Sequence, residues 1–391
     1  MKYVVVHSGA RDLYKVAETL FKNDRLGFLV TDDYFFRKEY RKLFPASRVK
    51  IPLRALFFRC ILQVFKGWDS LHRYKDYYLG RCAGKLSQKY NMPLLAYSEY
   101  AHNAYKFSNI HPRILFQFHP HAASNRNIYL DEIKKHPEMK DSLLQETEME
   151  ISPCRMKKLI DETKQSDVFI AASSFTKDTL IENGADPNNI FVAPYGVDIN
   201  KYPYKVRDKV EKVRFAFVGS YTERKGIYYL LSAAKELEEE GYNFELFMTG
   251  KAKFSIDNVN DRQLKCLQTY TNLSHNELIN MLHNSNVFVF PSLVEGFAFV
   301  IIEAMSTGLP IISTTRTAGR DVVENEKEGF TILPSDKDSL KKAMKYFLDN
   351  PEECKRMGDN AAKKAKTITW DNFENKVMEA VKYAESAQIN E

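Results

Sequence analysis

The sequence has few cysteines, and their placement excludes two common ways of stabilising a fold. Its 391 residues contain five cysteines, an odd number, with no Cys-x-x-Cys pair: Cys60, Cys82, Cys154, Cys266 and Cys354. Disulfide frameworks and structural zinc sites both require cysteines at paired or closely spaced positions. The sequence therefore predicts a protein of a reducing compartment, the cytoplasm.

Long apolar runs and glycine-rich cofactor motifs are also missing. No stretch approaches the roughly 20 uninterrupted apolar residues of a membrane span, and the apolar run at residues 3–6 is too short for a signal peptide. Neither Gly-x-Gly-x-x-Gly nor Gly-x-x-x-x-Gly-Lys-Ser/Thr occurs, so we expect no dinucleotide, P-loop nucleotide or other cofactor. The chain is 44% hydrophobic and 28% charged, the composition of a globular protein with sizeable cores.

Positive charge is concentrated between residues 37 and 89, although the net charge of the whole chain is only +6. The basic residues of this window are Arg37, Lys38, Arg41, Lys42, Arg48, Lys50, Arg54, Arg59, Lys66, Arg73, Lys75, Arg81, Lys85 and Lys89. Aromatic residues in and beside the window are Phe35, Phe36, Phe44, Phe57, Phe58, Phe65, Trp68, Tyr74, Tyr77 and Tyr78. Three interpretations are open: a surface for anionic membrane, a solvated helical face above an aromatic core, and a nucleic-acid surface. No nucleic-acid motif accompanies the charge, so we expect no nucleic-acid partner and prefer the membrane surface.

The chain shows the strand–helix alternation of a doubly wound sheet twice. It opens with an apolar strand at 3–6, a glycine-bearing loop and an amphipathic run at 12–21. Further strands are predicted at 27–31, 94–97, 114–118 and 168–171, and then at 214–218, 244–249, 287–290, 310–313 and 330–332. Helices of the second half are predicted at 227–240, 276–282, 298–307 and 339–348. Such alternation is typical of parallel sheets covered by helices on both faces.

We therefore predict an α/β protein of two facing Rossmann-like domains with a cleft between them. Residues 1–197 form the N-terminal domain, residues 198–369 the C-terminal domain, and residues 370–391 a terminal helix that packs back on the N-terminal domain. Ligands of open α/β sheets bind at the carboxyl ends of the strands, and here both sets of ends face the cleft.

A candidate phosphate site follows the predicted strand at 287–290. The chain there passes through a short loop into a helix, whose start lies at Phe297, Ala298 and Phe299. The first turn of a helix presents free backbone N–H groups and the positive end of the helix dipole. This position therefore suits a phosphate group.

Two carboxylates, with Gly296 between them, accompany this helix start. Glu303 lies on the helix among apolar residues, and a carboxylate in such surroundings needs hydrogen-bond donors. The two hydroxyls of a ribose are suitable donors. Glu295 precedes the helix and is placed to meet whatever lies beyond the phosphate, such as a sugar.

A pair of adjacent cations, Arg224 and Lys225, follows the strand that ends at Gly219. Arginine forks onto phosphate oxygens and lysine acts as a point charge, so the pair can neutralise a diphosphate without a metal. The only Asp-x-Asp candidate for a metal, Asp336 and Asp338, stands in a helix-start pattern and is interpreted as a cap. We therefore predict no metal site.

These segments resemble glycosyltransferase family 4, the retaining enzymes of the GT-B fold. The resemblance rests first on Glu295 and Glu303, which match the family's Glu-x7-Glu element, and on the loop at 219–226 with its glycines and basic pair. It rests also on residues 195–198, Tyr-Gly-Val-Asp, which are similar to the family's interdomain Asn-Gly-Val-Asp. It is specific over residues 173–329. Ser220 stands where many relatives have Arg, and Ala298 where Gly is usual.

The resemblance implies a role for each of these residues. Glu303 binds the ribose, and Arg224 and Lys225, in the loop after Gly219, bind the diphosphate. Glu295, with the amides after Gly296, holds the hydroxyls of the transferred sugar and the β-phosphate. The C-terminal domain then binds the nucleotide-sugar donor and the N-terminal domain the acceptor.

Several N-terminal residues complete the predicted site. Gly9 and Ala10 follow the first strand, and their amides are expected to face the diphosphate. The resemblance places a histidine beside the sugar, namely His119, with His121 as the alternative on the same face of an extended chain. Asn125 and Arg126 follow, and whether they contact donor or acceptor is open.

The implied function is a retaining hexosyltransferase. It moves a hexose from a UDP- or GDP-linked sugar to a glycan or lipid-linked glycan, as in bacterial surface polysaccharide or lipopolysaccharide assembly, on the inner face of the cell membrane. Three alternatives remain: a glycoside hydrolase that uses Glu295 and Glu303, a sugar-nucleotide epimerase of the same architecture, and a non-catalytic sugar- or lipid-binding scaffold.

Overall fold

The computed structural model describes residues 1–10, 12–34, 38–64, 69–207, 210–250 and 264–387. Six residues of the basic and aromatic window lie outside these ranges, namely Phe35, Phe36, Arg37, Phe65, Lys66 and Trp68.

The N-terminal sheet has seven parallel strands in the order β3-β2-β1-β4-β5-β6-β7. They are β1 (Tyr3–Val6), β2 (Leu26–Val30), β3 (Val49–Lys50), β4 (Leu94–Tyr97), β5 (Arg113–Gln117), β6 (Val168–Ala171) and β7 (Ile190–Val192). Every residue of β1, β4 and β6 is buried, because helices cover both faces of the sheet.

The C-terminal sheet has six parallel strands in the order β10-β9-β8-β11-β12-β13. They are β8 (Arg214–Val218), β9 (Glu245–Thr249), β10 (Leu267–Tyr270), β11 (Val287–Phe290), β12 (Ile311–Thr314) and β13 (Gly329–Ile332). The order reverses beside β8 and β11, so the loops after these two strands flank a crevice at the topological switch point.

The helices of the N-terminal half are α1 (Lys15–Lys22), α2 (Leu53–Val64), α3 (Asp69–Tyr90), α4 (Ala101–Tyr105), α5 (Ala122–Lys135), α6 (Lys140–Leu143), α7 (Thr147–Glu150), α8 (Pro153–Lys164) and α9 (Ser174–Glu182). Those of the C-terminal half are α10 (Ile227–Glu239), α11 (His275–His283), α12 (Phe299–Ser306), α13 (Gly319–Val322), α14 (Lys337–Asp349), α15 (Glu353–Ala365) and α16 (Trp370–Ala387). No helix in the described part of the chain combines the length and the hydropathy that crossing a lipid bilayer takes.

The predicted strands are found within a residue or two of their expected bounds, but two details differ. Helix α1 begins at Lys15 and not at residue 12, because Leu13 and Tyr14 adopt left-handed backbone angles, with φ of 56° and 61°. Strands β3 and β10 were not expected: β3 has only two residues, and the Leu-Gln-Thr-Tyr sequence of β10 is half polar and lies at the edge of the sheet. Asp336 caps α14 by accepting the Ser339 N–H at 2.9 Å, so its interpretation as a cap is confirmed.

The two chain crossings between the sheets lie side by side. The Val197 N–H donates to the Ile368 carbonyl at 3.2 Å. A Cβ added to Gly196 would lie 2.2 Å from the Trp370 nitrogen, so only glycine fits there. Tyr195, where the resemblance expects Asn, stacks on Phe299 with 4.9 Å between ring centroids. Beyond this junction, α16 packs on α1, β6 and β7.

Candidate active site

A cavity of about 620 Å³ lies between the two sheets. Its N-terminal wall is formed by residues that follow β4 and β5 and by residues of α3, α5, α7 and α8. Its C-terminal wall consists of Arg224, Val294, Glu295 and Gly296. The predicted interdomain cleft is therefore present, and it brings three predicted donor-site residues together with His119.

Glu295 is held between two cations. Its Oε1 accepts a hydrogen bond from Arg224 Nη1 at 2.5 Å and also contacts Lys225 Nζ. Burial raises the pKa of the Glu295 carboxyl, but Lys225 and Arg224 outweigh burial and hold that pKa at about 2. Glu295 is therefore a carboxylate throughout the physiological pH range.

Arg224 is also bound from the N-terminal domain. Its Nε donates to Glu146 Oε2 at 3.0 Å. Burial lowers the pKa of Arg224, but Glu295 and Glu146 outweigh burial and raise it. The Arg224 carbonyl accepts from Leu293 N–H and from Ser292 Oγ, both at 2.9 Å, which fastens its loop to the segment before Glu295. Glu146 was not foreseen, because it lies 78 residues from Arg224 along the chain.

Gly296 is the point where the C-terminal domain approaches the loop after β5. A Cβ at this position would lie 2.4 Å from the Phe118 carbonyl oxygen and 3.1 Å from His119 Nδ1. The Gly296 carbonyl in turn accepts from Thr176 Oγ1 at 3.3 Å. Glycine at 296 therefore permits the close contact that places His119 beside Glu295.

The two candidate histidines have different surroundings. His119 is exposed in the cavity lining. His121 is 1% exposed and caps α5, with Nδ1 accepting the Ala123 N–H at 3.3 Å and Nε2 donating to the Leu159 carbonyl at 3.4 Å. Burial lowers the pKa of His121 to about 4. The geometry thus favours His119 as the histidine that meets a ligand.

The start of α12 is built on an unusual backbone. Ala298 precedes the helix with φ of 67°, a left-handed conformation that favours glycine. The Phe297 carbonyl accepts from the Ala318 N–H at 3.0 Å, and the rings of Phe297 and Phe299 contact Tyr195 at the domain junction. Both phenylalanine side chains therefore pack into the junction, and Phe297, Ala298 and Phe299 are not among the residues that line the interdomain cavity.

Glu303 has a donor that sequence reasoning missed. The Tyr202 hydroxyl hydrogen-bonds to the Glu303 carboxylate, and the Tyr202 ring lies 5.2 Å from that of His275. Burial raises the pKa of Glu303, while Tyr202 and His275 oppose the shift. The carboxylate is therefore partly satisfied by the protein itself, and no local pattern in the sequence signals this partner.

The Gly9 amide is hydrogen-bonded within the N-terminal domain. Its N–H donates to Asp32 Oδ1 at 3.1 Å, and Asp32 also accepts from Ser8 Oγ at 2.9 Å and lies 3.3 Å from Lys75 Nζ. Ala10, the other residue expected to face a diphosphate, is partly buried against the core. The Gly9 amide thus supports the fold at the carboxyl ends of β1 and β2.

A second cavity of about 620 Å³ lies at the carboxyl ends of β8 and β9. Gly219 lines it together with Val218, Ser220, Thr249, Gly250, Asn272, Leu273 and Leu278. Gly219 therefore lies apart from Arg224, Glu295 and Gly296, which line the interdomain cavity.

The structure divides the basic window into buried and exposed parts. Arg59 contacts Asp32 and Asp33, and Lys75 is 8% exposed beside Asp32, so these two cations face inward. Leu53 is 82% exposed and Phe57 61% exposed on α2. Exposed basic residues of the window are Lys38, Arg41, Lys42, Arg54, Arg73, Lys85 and Lys89.

Comparison with known proteins finds a family match in the C-terminal part of this chain. Residues 198–364 match the family model described as "Glycosyl transferases group 1". HepE of Anabaena, solved in complex with UDP, superposes with a TM-score of 0.64 at 13% identity, over 98% of this chain and 100% of that chain. At that identity the likeness shows the fold alone, which is GT-B. The GT-B fold expected from the sequence is confirmed, and the match over residues 198–364 agrees with the expected group of glycosyltransferases.

Two relatives are similar to the chain over part of its length. The MMP alpha-(1->4)-mannosyltransferase of Mycolicibacterium hassiacum is 27% identical over 219 residues, which are 53% of this chain and 51% of the relative. The capsular polysaccharide biosynthesis glycosyltransferase CapM of Staphylococcus aureus is 26% identical over 230 residues, which are 54% of this chain and 60% of the relative. The chain thus spans between about half and three fifths of the relatives that it matches.

Proposed function

We propose that this protein is a retaining glycosyltransferase. It moves a hexosyl group from a UDP- or GDP-linked sugar to a hydroxyl of a glycan or lipid-linked glycan, in the assembly of a bacterial surface polysaccharide or lipopolysaccharide. The observation that carries the proposal is the contact of Arg224 and Lys225 with Glu295 in the interdomain cavity, within a chain whose C-terminal part matches the group 1 glycosyltransferases. The names of the two relatives agree with this reaction and this setting.

Arg224 and Lys225 supply the positive charge that a leaving diphosphate requires. Their side chains are 23% and 12% exposed, so solvent screens their attraction for an anion less than at the surface. Within the protein, Glu295 and Glu146 pair with them. A diphosphate that binds both cations releases Glu295 Oε1, which then accepts hydrogen bonds from the hydroxyls of the transferred sugar.

Retention follows from a substitution on one face of the sugar. The acceptor oxygen bonds to the anomeric carbon while the bond from that carbon to the phosphate oxygen breaks, and the acceptor proton passes to the departing phosphate oxygen. Glu295 is a poor nucleophile and a poor base for this step, because its pKa of about 2 reflects a carboxylate tied to two cations. Its role is to orient the sugar, together with His119, which lies close to Gly296.

The nucleoside end of the donor lies toward the second cavity, along Gly219. The ribose hydroxyls donate to Glu303, where they join or replace the Tyr202 hydroxyl. We infer that binding requires no divalent metal, since two cations already face the diphosphate position. The inference is tested by measuring nucleotide binding in buffer that contains a chelator.

The test is calorimetric titration of UDP and of GDP, in chelator, into wild type and two variants. Glu303→Ala is expected to abolish binding of the preferred nucleotide, because the ribose loses its acceptor. Glu324→Ala, which changes an exposed carboxylate of the same domain paired with Lys327, is the matched control and retains affinity. Absence of binding by wild type, or full affinity in Glu303→Ala, contradicts the proposed donor site.

Turnover separates the remaining alternatives. A transferase releases nucleoside diphosphate from the donor only when acceptor is present. A retaining transferase converts an α-linked donor into an α-linked product. Interconversion of the donor sugar without acceptor identifies an epimerase, and nucleotide binding without any turnover identifies a scaffold.

The exposed part of the basic window is proposed as the contact with an anionic membrane surface. Leu53 and Phe57 project from α2 beside Arg54, and each cation near anionic lipid contributes about 1 kcal/mol. Replacing Arg54, Lys85 and Lys89 with Glu should release the protein from phosphatidylglycerol vesicles in a sedimentation assay. Charge reversal of Lys363 and Lys364, exposed on α15, is the control and leaves sedimentation unchanged. Equal sedimentation of both variants rules out this surface and leaves the donor site unaffected.

A further inference from the structure

Three buried polar atoms on the N-terminal wall of the interdomain cavity lack a hydrogen-bond partner among the residues that the structure describes. Gln117 ends β5, and Asn125 and Tyr129 lie one turn apart on one face of α5. These residues line the cavity and are 4%, 2% and 0% exposed. Within the described residues, nothing hydrogen-bonds to Gln117 Oε1, Asn125 Oδ1 or the Tyr129 hydroxyl. Unsatisfied buried polar groups are costly and rare, so three of them around one cavity point to a ligand as their partner.

The orientation of both amides is fixed by their other ends. Gln117 Nε2 donates to the His119 carbonyl at 2.7 Å, and Asn125 Nδ2 donates to Glu148 Oε1 at 2.9 Å. Since these two partners only accept hydrogen bonds, the amide nitrogens must face them and the amide oxygens are left unpaired. The wall therefore offers two carbonyl oxygens that accept, and one hydroxyl that does either.

The charged groups on the same wall also favour a ligand that donates hydrogen bonds. The carboxylates of Glu99, Glu148 and Glu150 line it, and carboxylates accept hydrogen bonds only. Its two cations are already engaged: Lys75 Nζ donates to a buried serine hydroxyl at 2.7 Å, and Arg155 Nη2 lies 3.8 Å from Glu99 Oε2. A ligand that fits this wall must be rich in donors, as sugar hydroxyls and ammonium groups are. Phosphate and carboxylate groups offer no donor and are repelled.

We propose that this wall binds the acceptor of the transfer reaction, and that the sugar ring it receives is neutral or amino-bearing and carries no carboxylate or phosphate. The inference rests on the proposed glycosyltransferase function and extends it, because it names the chemical class of the acceptor. The wall faces Glu295 and Arg224 across the same cavity, so a sugar bound on it presents a hydroxyl to the transferred hexose.

The buried carboxylate of Glu162 holds the backbone of Glu99 in place on the cavity wall. Glu99 follows β4 with φ of 81°, a left-handed conformation that residues other than glycine rarely adopt. Glu162, 1% exposed on α8, accepts from Ser98 Oγ at 2.6 Å, from the Glu99 N–H at 2.9 Å and from the His102 N–H at 3.2 Å. Glu162 is thus a positioning residue that maintains the backbone of Glu99, whose side chain is 33% exposed in the cavity lining.

The first experiment measures affinities of matched glycosides by ligand-observed NMR, with and without UDP or GDP. The probes are methyl α-glucoside with methyl α-glucuronide, methyl α-galactoside with methyl α-galacturonide, and glucosamine. Wild type is expected to bind a neutral or amino sugar at least about tenfold more tightly than the matched uronide. Glu99→Gln is expected to reduce that ratio, because it removes a negative charge from the wall. Equal or tighter binding of uronides, or no binding of any neutral or amino sugar, overturns the proposal.

The second experiment uses a variant whose stability and binding change in opposite directions. Tyr129→Phe removes only the unpartnered hydroxyl, so the melting temperature should stay or rise while sugar affinity falls about fivefold or more. Tyr3→Phe is the matched control, because the Tyr3 hydroxyl is likewise buried and without a partner among the described residues, but lies on β1 away from the cavity lining. It should raise the melting temperature and leave sugar binding unchanged. Unchanged sugar affinity in Tyr129→Phe overturns the proposal.

Nucleotide titrations of the same samples keep the two proposals apart. A wild-type protein that binds neither UDP nor GDP contradicts the glycosyltransferase, whatever the sugars do. A protein that binds nucleotide but prefers uronides contradicts only the chemical class assigned to the acceptor.

Discussion

Replacing Gly296 with Ala tests whether the close approach of the two domains controls the reaction. The added Cβ would lie 2.4 Å from the Phe118 carbonyl oxygen, whereas ordinary contacts begin at 3.4 Å, so the loops must separate by about 1 Å. The obstacle is backbone, which no rotamer change relieves. A displacement of about 1 Å between reacting groups can lower the rate about 100-fold. We therefore expect kcat/KM for transfer to fall about 100-fold in Gly296→Ala.

The assay is acceptor-dependent release of nucleoside diphosphate, with thermal unfolding measured on the same samples. The melting temperature should change little, because the clash lies at the domain interface and not within either sheet. Gly184→Ala is the control: there is open space around its Cβ, but φ is 98°, so it costs stability and spares activity. Near wild-type turnover in Gly296→Ala would refute the reasoning, because it would show that the separation of the loops does not matter.

Two further predictions concern stability. Ala298→Gly should stabilise the protein by about 1 kcal/mol in denaturant unfolding, because Ala298 has φ of 67° and glycine adopts such angles without the Cβ penalty. A destabilised variant would show that the angle carries no strain. The second prediction concerns His121, whose pKa is about 4 in the folded protein against an ordinary value of 6.5, so the fold favours the neutral ring. Its contribution is present above about pH 6.5 and is lost as pH falls toward 4, at about 1.4 kcal/mol per pH unit. Stability measured against pH should show this slope in wild type, and His121→Gln should flatten it; an identical slope in both proteins would contradict the assignment.

Much of the fold could be predicted because parallel strands buried on both faces are continuous apolar runs. The strands β1, β4 and β6 are such runs, and each was placed within a residue of its observed bounds. Strand β10 lies at a sheet edge, where burial is partial and its sequence lacks that signal. The start of α1 was missed for another reason: Leu13 and Tyr14 adopt left-handed backbone angles, which local propensity does not report.

The candidate site was predictable where its chemistry is local. Arg224 and Lys225 are adjacent, and Glu295 lies in the short loop before α12, so residue type and spacing alone indicated a phosphate site. The partners that hold these groups are distant in sequence and carry no local pattern: Glu146 lies 78 residues from Arg224, and Tyr202, the partner of Glu303, lies between β7 and β8. Their presence changes the interpretation, since the cations and both carboxylates are paired before any ligand arrives.

The junction at Gly196 has a consequence for turnover. Both crossings of the chain meet there, with Val197 hydrogen-bonded to Ile368, so both covalent links between the domains lie at one place. A rotation about that place breaks hydrogen bonds between the domains, among them Glu146 with Arg224 and Glu132 with Tyr229 at 2.6 Å. The hydrogen bond from Arg224 to Glu146 uses the same guanidinium that we assign to the diphosphate. A donor that binds Arg224 in place of Glu146 therefore removes one hydrogen bond between the domains. That hydrogen bond forms again when the product leaves.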